Sequence, residues 1–363
     1  MIDRKHLKNI DWILIGLLLF NTLIGVAFIY SSSAHLPGNY YLRQLFWLLV
    51  SVLVLVIVLA IDYRYLVDFS LYAYMLLVVI LGLNLVFGRL IAGTKSWIRL
   101  PFFQIQPSEF MKIIVILLLV MMFSKYQGKE LRLDKGFFAI FIVMIPVGLV
   151  AMQPDLGTAL TYLPILLAVF VFAGINRKAM VIFLILIIVG GFVTWNFGLK
   201  DYQKKRLTTV IFPEKDLLGS GYQINQSKIA IGSGGFFGKG YKKGTQSQLR
   251  FLPARHTDFI FSVIGEETGF LGVFVSLAVY FLFLTRMFLS VDKTRDRAGA
   301  YLIFMVAVML SAQFFINVAM TIGLFPVAGI PLPLLSYGGS SLLANFIAVA
   351  MVLNVKMRRF VNV

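Results

Sequence analysis

Apolar residues fall in long runs along this chain, and polar residues are confined mostly to the stretches between them. A helix that crosses a bilayer needs roughly 20 mostly apolar residues. Runs of that kind lie at about 11–31, 44–61, 67–87, 107–124, 136–152, 157–174, 178–197, 259–285, 300–322 and 338–356. The pattern predicts an all-α polytopic membrane protein with about ten transmembrane helices, forming a single domain over residues 1–363. The first run is too long for the apolar core of a signal peptide, so it reads as an uncleaved span.

Charge in the connections sets the orientation. Arg4, Lys5, Lys8, Arg64, Lys125, Lys129, Arg132, Lys135, Arg177, Lys178, Lys293, Arg295, Arg297, Lys356, Arg358 and Arg359 share one side of a ten-span arrangement. Short cytoplasmic loops carry an excess of Lys and Arg, so that side is cytoplasmic and holds both termini. The opposite face takes the connections at about 32–43, 88–106, 153–156, 198–258 and 323–337. The longest is an extracytoplasmic loop between spans 7 and 8, about 198–258. It is rich in Lys and Arg against the charge rule, which long loops escape. It reads either as a solvated or lipid-contacting loop or as an anion site for a phosphate, diphosphate or acidic polymer. The anion reading is preferred, because polar membrane-edge residues converge on the same face. A loop this long without evident secondary structure is functional or disordered.

Composition agrees with lipid as the solvent: 60% of the 363 residues are hydrophobic and only 13% charged, with a mean hydropathy of +0.89. The formal net charge of +17 is read as cytoplasmic loop charge, and no basic segment with interleaved aromatics suggests nucleic acid. The absence of cysteine excludes disulfides and thiolate chemistry. His6, His35 and His256 are too scattered for a zinc site.

Ionisable residues in or beside spans are costly and mark buried or watery sites. Glu109 and Lys112, in QPSEFMK, lie three apart on one helix face, as a self-neutralising pair or as part of a cavity wall. Asp155, in QPDLGTA, reads as a helix cap, with a metal or structural role as the alternative. Asp258, in LPARHTDFIF, enters the eighth span beside Arg255 and His256; it is an N-cap or a general base. Glu266 and Glu267 cannot both point the same way, so one is a buried structural group. The glycine-rich IGSGGFFGKG (231–240) lacks the spacing of a nucleotide-binding loop and reads as flexible backbone. PLPLLSYGGSS (331–341), with Ser336, reads as a re-entrant segment that lines a cavity or is buried in protein.

GTKSWIRL (93–100), QPSEFMK (106–112), QPDLGTA (153–159), GYQINQSKIAIGSGGFFGKG (221–240), LPARHTDFIFSVIGEETGFLG (252–272) and GIPLPLLSYGGSS (329–341) together resemble the SEDS family of bacterial shape, elongation, division and sporulation proteins. The motifs stand in family order and cover almost the whole chain. RHTDFIF, FPVAGIPLPLLSYGGSS and the short tail resemble the elongation branch rather than the division branch. The resemblance implies a peptidoglycan glycosyltransferase that polymerises lipid II at the outer face of the cytoplasmic (inner) membrane. It also implies a class B penicillin-binding protein as partner, further elongation-complex membrane proteins, and a divalent cation, Mg2+ or Mn2+, with no organic cofactor. On this reading Asp258 is the general base. Arg99, Lys112, Arg206, Lys228, Lys239 and Arg255 are candidate cations for the substrate diphosphate, and Glu109, Asp155, Glu266 and Ser336 shape the cavity. The metal ligands are unknown. A lipid-linked sugar flippase and a non-enzymatic scaffold for a transpeptidase are the competing functions.

Overall fold

The computed structural model describes residues 9–358 apart from 35, 89, 91–92, 100–102, 126–131, 175–180, 183–184, 186–189, 193, 199–200, 211, 213–215 and 217–218. Half of the expected seventh span lies outside the described residues, as do Arg4, Lys5, His6, Lys8, His35, Lys129, Arg177, Lys178, Lys200 and Arg359. Among the described residues the regular structure is helical apart from one hairpin of two two-residue strands. Among the described residues eight helices are long and apolar enough to cross a bilayer.

The elements run as follows. α1 (Trp12–Ser33) and α2 (Tyr40–Ala60) are spans, a short α3 (Tyr63–Asp68) follows, and α4 (Ser70–Phe87) is a span. Strands β1 (Ile98–Arg99) and β2 (Gln104–Ile105) pair antiparallel ahead of α5 (Pro107–Phe123) and α6 (Leu133–Met152). The sixth span is broken into α7 (Leu156–Leu160) and α8 (Leu163–Ala173). Three short helices follow, α9 (Asp201–Thr208), α10 (Ser220–Ser233) and α11 (Thr245–Gln248), before α12 (Ile260–Val291), α13 (Arg297–Thr321) and α14 (Gly339–Arg358). The expected structureless loop at 198–258 is therefore corrected. α10 carries buried Ile224, Ser227 and Ala230 and packs along α12.

α5 is the central helix. It has 17 residues, so it rises about 26 Å. Met111, Ile113 and the run from Val115 to Val120 are all at most 3% exposed. Around it lie α4, α13 and α14. The outward faces of α2 and α4 keep Leu49, Val56, Tyr72 and Leu76 exposed, as lipid contact requires.

α12 is not one straight span. Gly269 has φ +65° and ψ −163°, a backbone state open only to glycine, and it divides the helix. The break orphans carbonyls before it and amides after it, and the glycine-rich segment satisfies both sets. Lys239 N and Gly240 N donate to Glu266 O and Glu267 O at 3.0 Å, while Phe270 N and Leu271 N donate to Gly235 O and Phe236 O at 2.9 and 3.1 Å. The glycines at 231–240 thus permit close backbone approach; they are not merely flexible.

The end of the bundle that holds Asp11 and Arg358 is closed by charge. Asp11, 8% exposed, accepts from Arg286 Nε at 2.9 Å and from Lys356. Arg358 reaches Asp62 at 3.5 Å, and Asn354 Nδ2 donates to Val58 O at 2.7 Å and to Ile61 O.

Candidate functional site

At the opposite end the broken helices and loops surround a cavity of about 2180 Å³. Asp155 and Asp258 both line it, with Arg43, Arg99 and Arg206. Much of the remaining wall is apolar, including Leu160, Leu163, Leu167, Phe170, Phe46 and Trp47.

Asp155 is held as the sequence suggests, by capping. Its Oδ1 accepts from Thr158 N at 3.1 Å at the start of α7, and its Oδ2 accepts from Ser96 Oγ at 2.9 Å and Gln106 Nε2 at 3.0 Å. These bonds tie the hairpin region, α5 and α7 into one wall. The break between α6 and α7 is packed against the segment before α14. A Cβ on Gly157 would lie 1.7 Å from Ala328 O, so only glycine fits there.

Asp258 does not cap. The N-cap of α12 is Phe259, with no side-chain bond, so the Asp258 carboxyl is left to face the cavity. Burial pushes it up to about 6; the Thr257 hydroxyl and Arg206 draw it down, and Asp155 raises it. It is thus a carboxyl poised near neutral pH, where a general base works best. Its neighbour His256 is wedged between Tyr40 and Tyr337, with ring centroids at 4.6 and 5.7 Å. Burial, with Arg255 adding to it, lowers His256 to about 4, so the imidazole is neutral and adds no charge beside Asp258.

The six expected substrate cations divide. Arg99, at the hairpin position paired with Gln104, and Arg206, on α9, line the cavity. The other four do not. Lys112 is spent in a buried ion pair with Glu109 at 2.8 Å, with side chains 2% and 5% exposed. Lys239 pairs with Glu266 at 2.8 Å, and Glu266 also caps α11 through Gln246 N and Ser247 N. Arg255 is buried and donates to Ser32 O at 2.7 Å. Lys228 is exposed on α10 beside Gly323. Ser336 is buried behind the cavity, accepting from Leu332 N and donating to Thr257 O. Glu109 likewise sits behind the wall rather than on it.

Sequence reasoning missed Arg43, on the first turn of α2, which lines the cavity and bonds Tyr337. An arginine at the outer end of a span was the available signal. Among the described residues no three His, Asp or Glu side chains cluster as a metal site.

The fold and cavity define a multi-pass helical membrane protein whose large cavity has a mostly apolar wall and carries three arginines and two aspartates. The chain belongs to the FtsW/RodA/SpoVE family of cell cycle proteins, which residues 11–360 match. It is 37% identical to a probable peptidoglycan glycosyltransferase FtsW of Trichlorobacter lovleyi, over 96% of this chain and 94% of that one. It is 34% identical to the peptidoglycan glycosyltransferase MrdB of Escherichia coli K12 (98% and 95% covered). It is 33% identical to the peptidoglycan glycosyltransferase RodA of Treponema pallidum (98% and 99%). Among solved structures it superposes on a chain of a peptidoglycan synthase complex that coordinates polymerization and crosslinking, with TM-score 0.83, 29% identity and 97% and 98% coverage. It also matches the rod shape determining protein RodA of Thermus thermophilus, with TM-score 0.70 and 27% identity over 97% and 98%.

Proposed function

We propose that this peptidoglycan glycosyltransferase polymerises lipid II into β-1,4 glycan at the outer face of the cytoplasmic membrane during cell elongation. Asp258 serves as its general base. The observation that carries the reading is a carboxyl raised to about 6 on the wall of a cavity that also holds three arginines. Asp258 takes the proton from the acceptor sugar's 4-hydroxyl. That oxygen attacks the donor's anomeric carbon, and the bond to the undecaprenyl diphosphate breaks with inversion. The leaving diphosphate departs with the electron pair, and Arg43, Arg99 and Arg206 stabilise its charge. The apolar wall accommodates the polyprenyl chain.

A divalent cation belongs to the same proposal. Such a cation needs one or two carboxylates plus phosphate oxygens. Asp258 and Asp155 are the carboxylates that face the cavity, and both Asp155 oxygens already accept hydrogen bonds. The protein side chains alone thus offer an incomplete donor set, and no step is assigned to the metal. The partner is a class B penicillin-binding protein that crosslinks the new strands, in keeping with the synthase-complex relative. Purified protein given lipid II tests the reading. Wild type, with or without partner, should yield glycan, and Asp258→Ala should remain folded and yield none. Polymer made by Asp258→Ala at the wild-type rate would overturn the assignment.

A further inference from the structure

We infer that Asn317 is a positioning residue for the Asp258 carboxylate, acting through the backbone that carries it. Three consecutive carbonyls lead up to and include Asp258, and each accepts from a different donor in one scaffold. Tyr337 N donates to His256 O at 2.9 Å, Ser336 Oγ donates to Thr257 O, and Asn317 Nδ2 donates to Asp258 O at 2.8 Å. The same Asn317 Nδ2 donates to Ile330 O at 2.7 Å. One fully buried amide on α13 therefore joins the base's own backbone to the segment on the far side of it. That segment reaches the carboxylate: a Cβ on Gly329 would stand 3.8 Å from Asp258 Oδ2.

The geometry explains a placement that helix structure does not. Asp258 stands before the first turn of α12, outside its hydrogen-bond ladder, and its side chain makes no cap. Without Asn317 its carbonyl would lose that partner, and the backbone at 258 would gain rotational freedom. Asn317 removes that freedom from the residue that bears the base. A general base must be held within a few tenths of an ångström of its proton, so small losses of order cost rate more than binding. Asn317 touches neither substrate nor Asp258's carboxylate, so it is not itself a catalytic residue.

The inference rests on Asp258 being the base, and the test separates the two. Asn317→Ser and Asn317→Asp would be compared with Asn354→Ser, which removes the same kind of amide-to-carbonyl clamp at the Arg358 end of the bundle. Polymerisation is measured per folded molecule across pH, with Asp258→Ala as the inactive reference. Asn317→Ser is expected to lower kcat about 10- to 100-fold with KM within about twofold, as lost positioning predicts. The acid limb of its profile should move to lower pH as the loosened carboxylate hydrates. Asn317→Asp should be worse, and Asn354→Ser should keep the wild-type profile. An unchanged acid limb and kcat in Asn317→Ser, or a profile matching that of Asn354→Ser, would overturn the inference while leaving the base in place. If Asn317→Ser fails to fold, the same comparison is made with Gly329→Ala, which strains the left-handed backbone (φ +66°) at the Ile330 end of the clamp; a wild-type profile there overturns it as well. Wild-type activity in Asp258→Ala would overturn the base, and the inference with it.

Discussion

Replacing Gly269 with alanine tests whether the break in α12 is built into the fold. At φ +65° and ψ −163°, a side chain costs about 1–3 kcal/mol in strain alone. Its Cβ would also stand 2.3 Å from Gly238 N and 2.7 Å from Phe236 C and O. These are backbone atoms, so the segment at 234–240 must withdraw. Withdrawal breaks four backbone hydrogen bonds, those of Lys239, Gly240, Phe270 and Leu271. At about 0.5–1.5 kcal/mol net each, they add roughly 2–6 kcal/mol. The total, roughly 3–9 kcal/mol, is comparable with the whole stability of many domains. In detergent the melting midpoint should fall by about 5 °C or more. Trypsin should cut faster at Lys239, Lys242 and Lys243. Gly232→Ala is the control: its Cβ meets nothing within 4 Å, and inside a helix it should be neutral or slightly stabilising. If Gly269→Ala melts with the wild type and shows its tryptic pattern, α12 runs unbroken through residue 269 and the account of the glycine segment is wrong.

Further outcomes follow from the charged groups. The kcat/KM of polymerisation should fall as pH drops through about 6, where Asp258 takes up a proton. Arg206→Ala should move that limb to higher pH, because Arg206 draws the carboxyl down, whereas Lys228→Ala should leave it in place. For the buried pair, Glu109→Gln or Lys112→Met should cost about 3–5 kcal/mol in thermal unfolding, and Glu109→Leu with Lys112→Met together should cost less than either. The charge-swapped pair should fall between them; a swap as inactive as either single change would argue for a direct chemical role. Burial raises Asp11, but the hydrogen bonds from Arg286 and Lys356 outweigh it and hold it at about 2. A folded value below the ordinary 3.8 stabilises above that pH and is lost on falling through 2. The melting difference between wild type and Asp11→Asn should therefore shrink between about pH 4 and pH 2.

The multi-pass helical character was legible, with eight of the ten expected spans matched by helices long and apolar enough among the described residues, because lipid admits few solutions: every backbone group must be paired within the helix, so apolar runs mark helices directly. The breaks were not legible. Gly269 sits in a run that reads as one span, and only its contacts with residues 234–240 reveal why a glycine stands there. The loop at 198–258 failed for a related reason. The segment SGYQINQSKIAIGS, now α10, has mean polarity too high for a span and buries its small face only because α12 is present to receive it. Local pattern carries no information about a partner 30 or more residues away.

Charge was legible as a total and illegible in direction. Sequence position puts Lys112, Lys239 and Arg255 on the same face as Asp258, and in that sense they were reasonable candidates. Each, however, finds a closer obligation: Glu109, Glu266 and the Ser32 carbonyl. A buried cation left unpaired is among the costliest defects a fold can carry, so packing claims such residues first. The arginines that face the cavity are ones the core did not need, whereas Asp155 faces it while also capping α7. Among the described residues Arg43, Arg99 and Arg206 form no ion pair with a carboxylate. Asp258 likewise escapes the capping duty that its position before α12 suggested, because Phe259 takes the cap position and Asn317 takes the backbone. The site is then best defined by subtraction. On the proposed reading the cations of the chemistry are Arg43, Arg99 and Arg206, which among the described residues pair with no carboxylate.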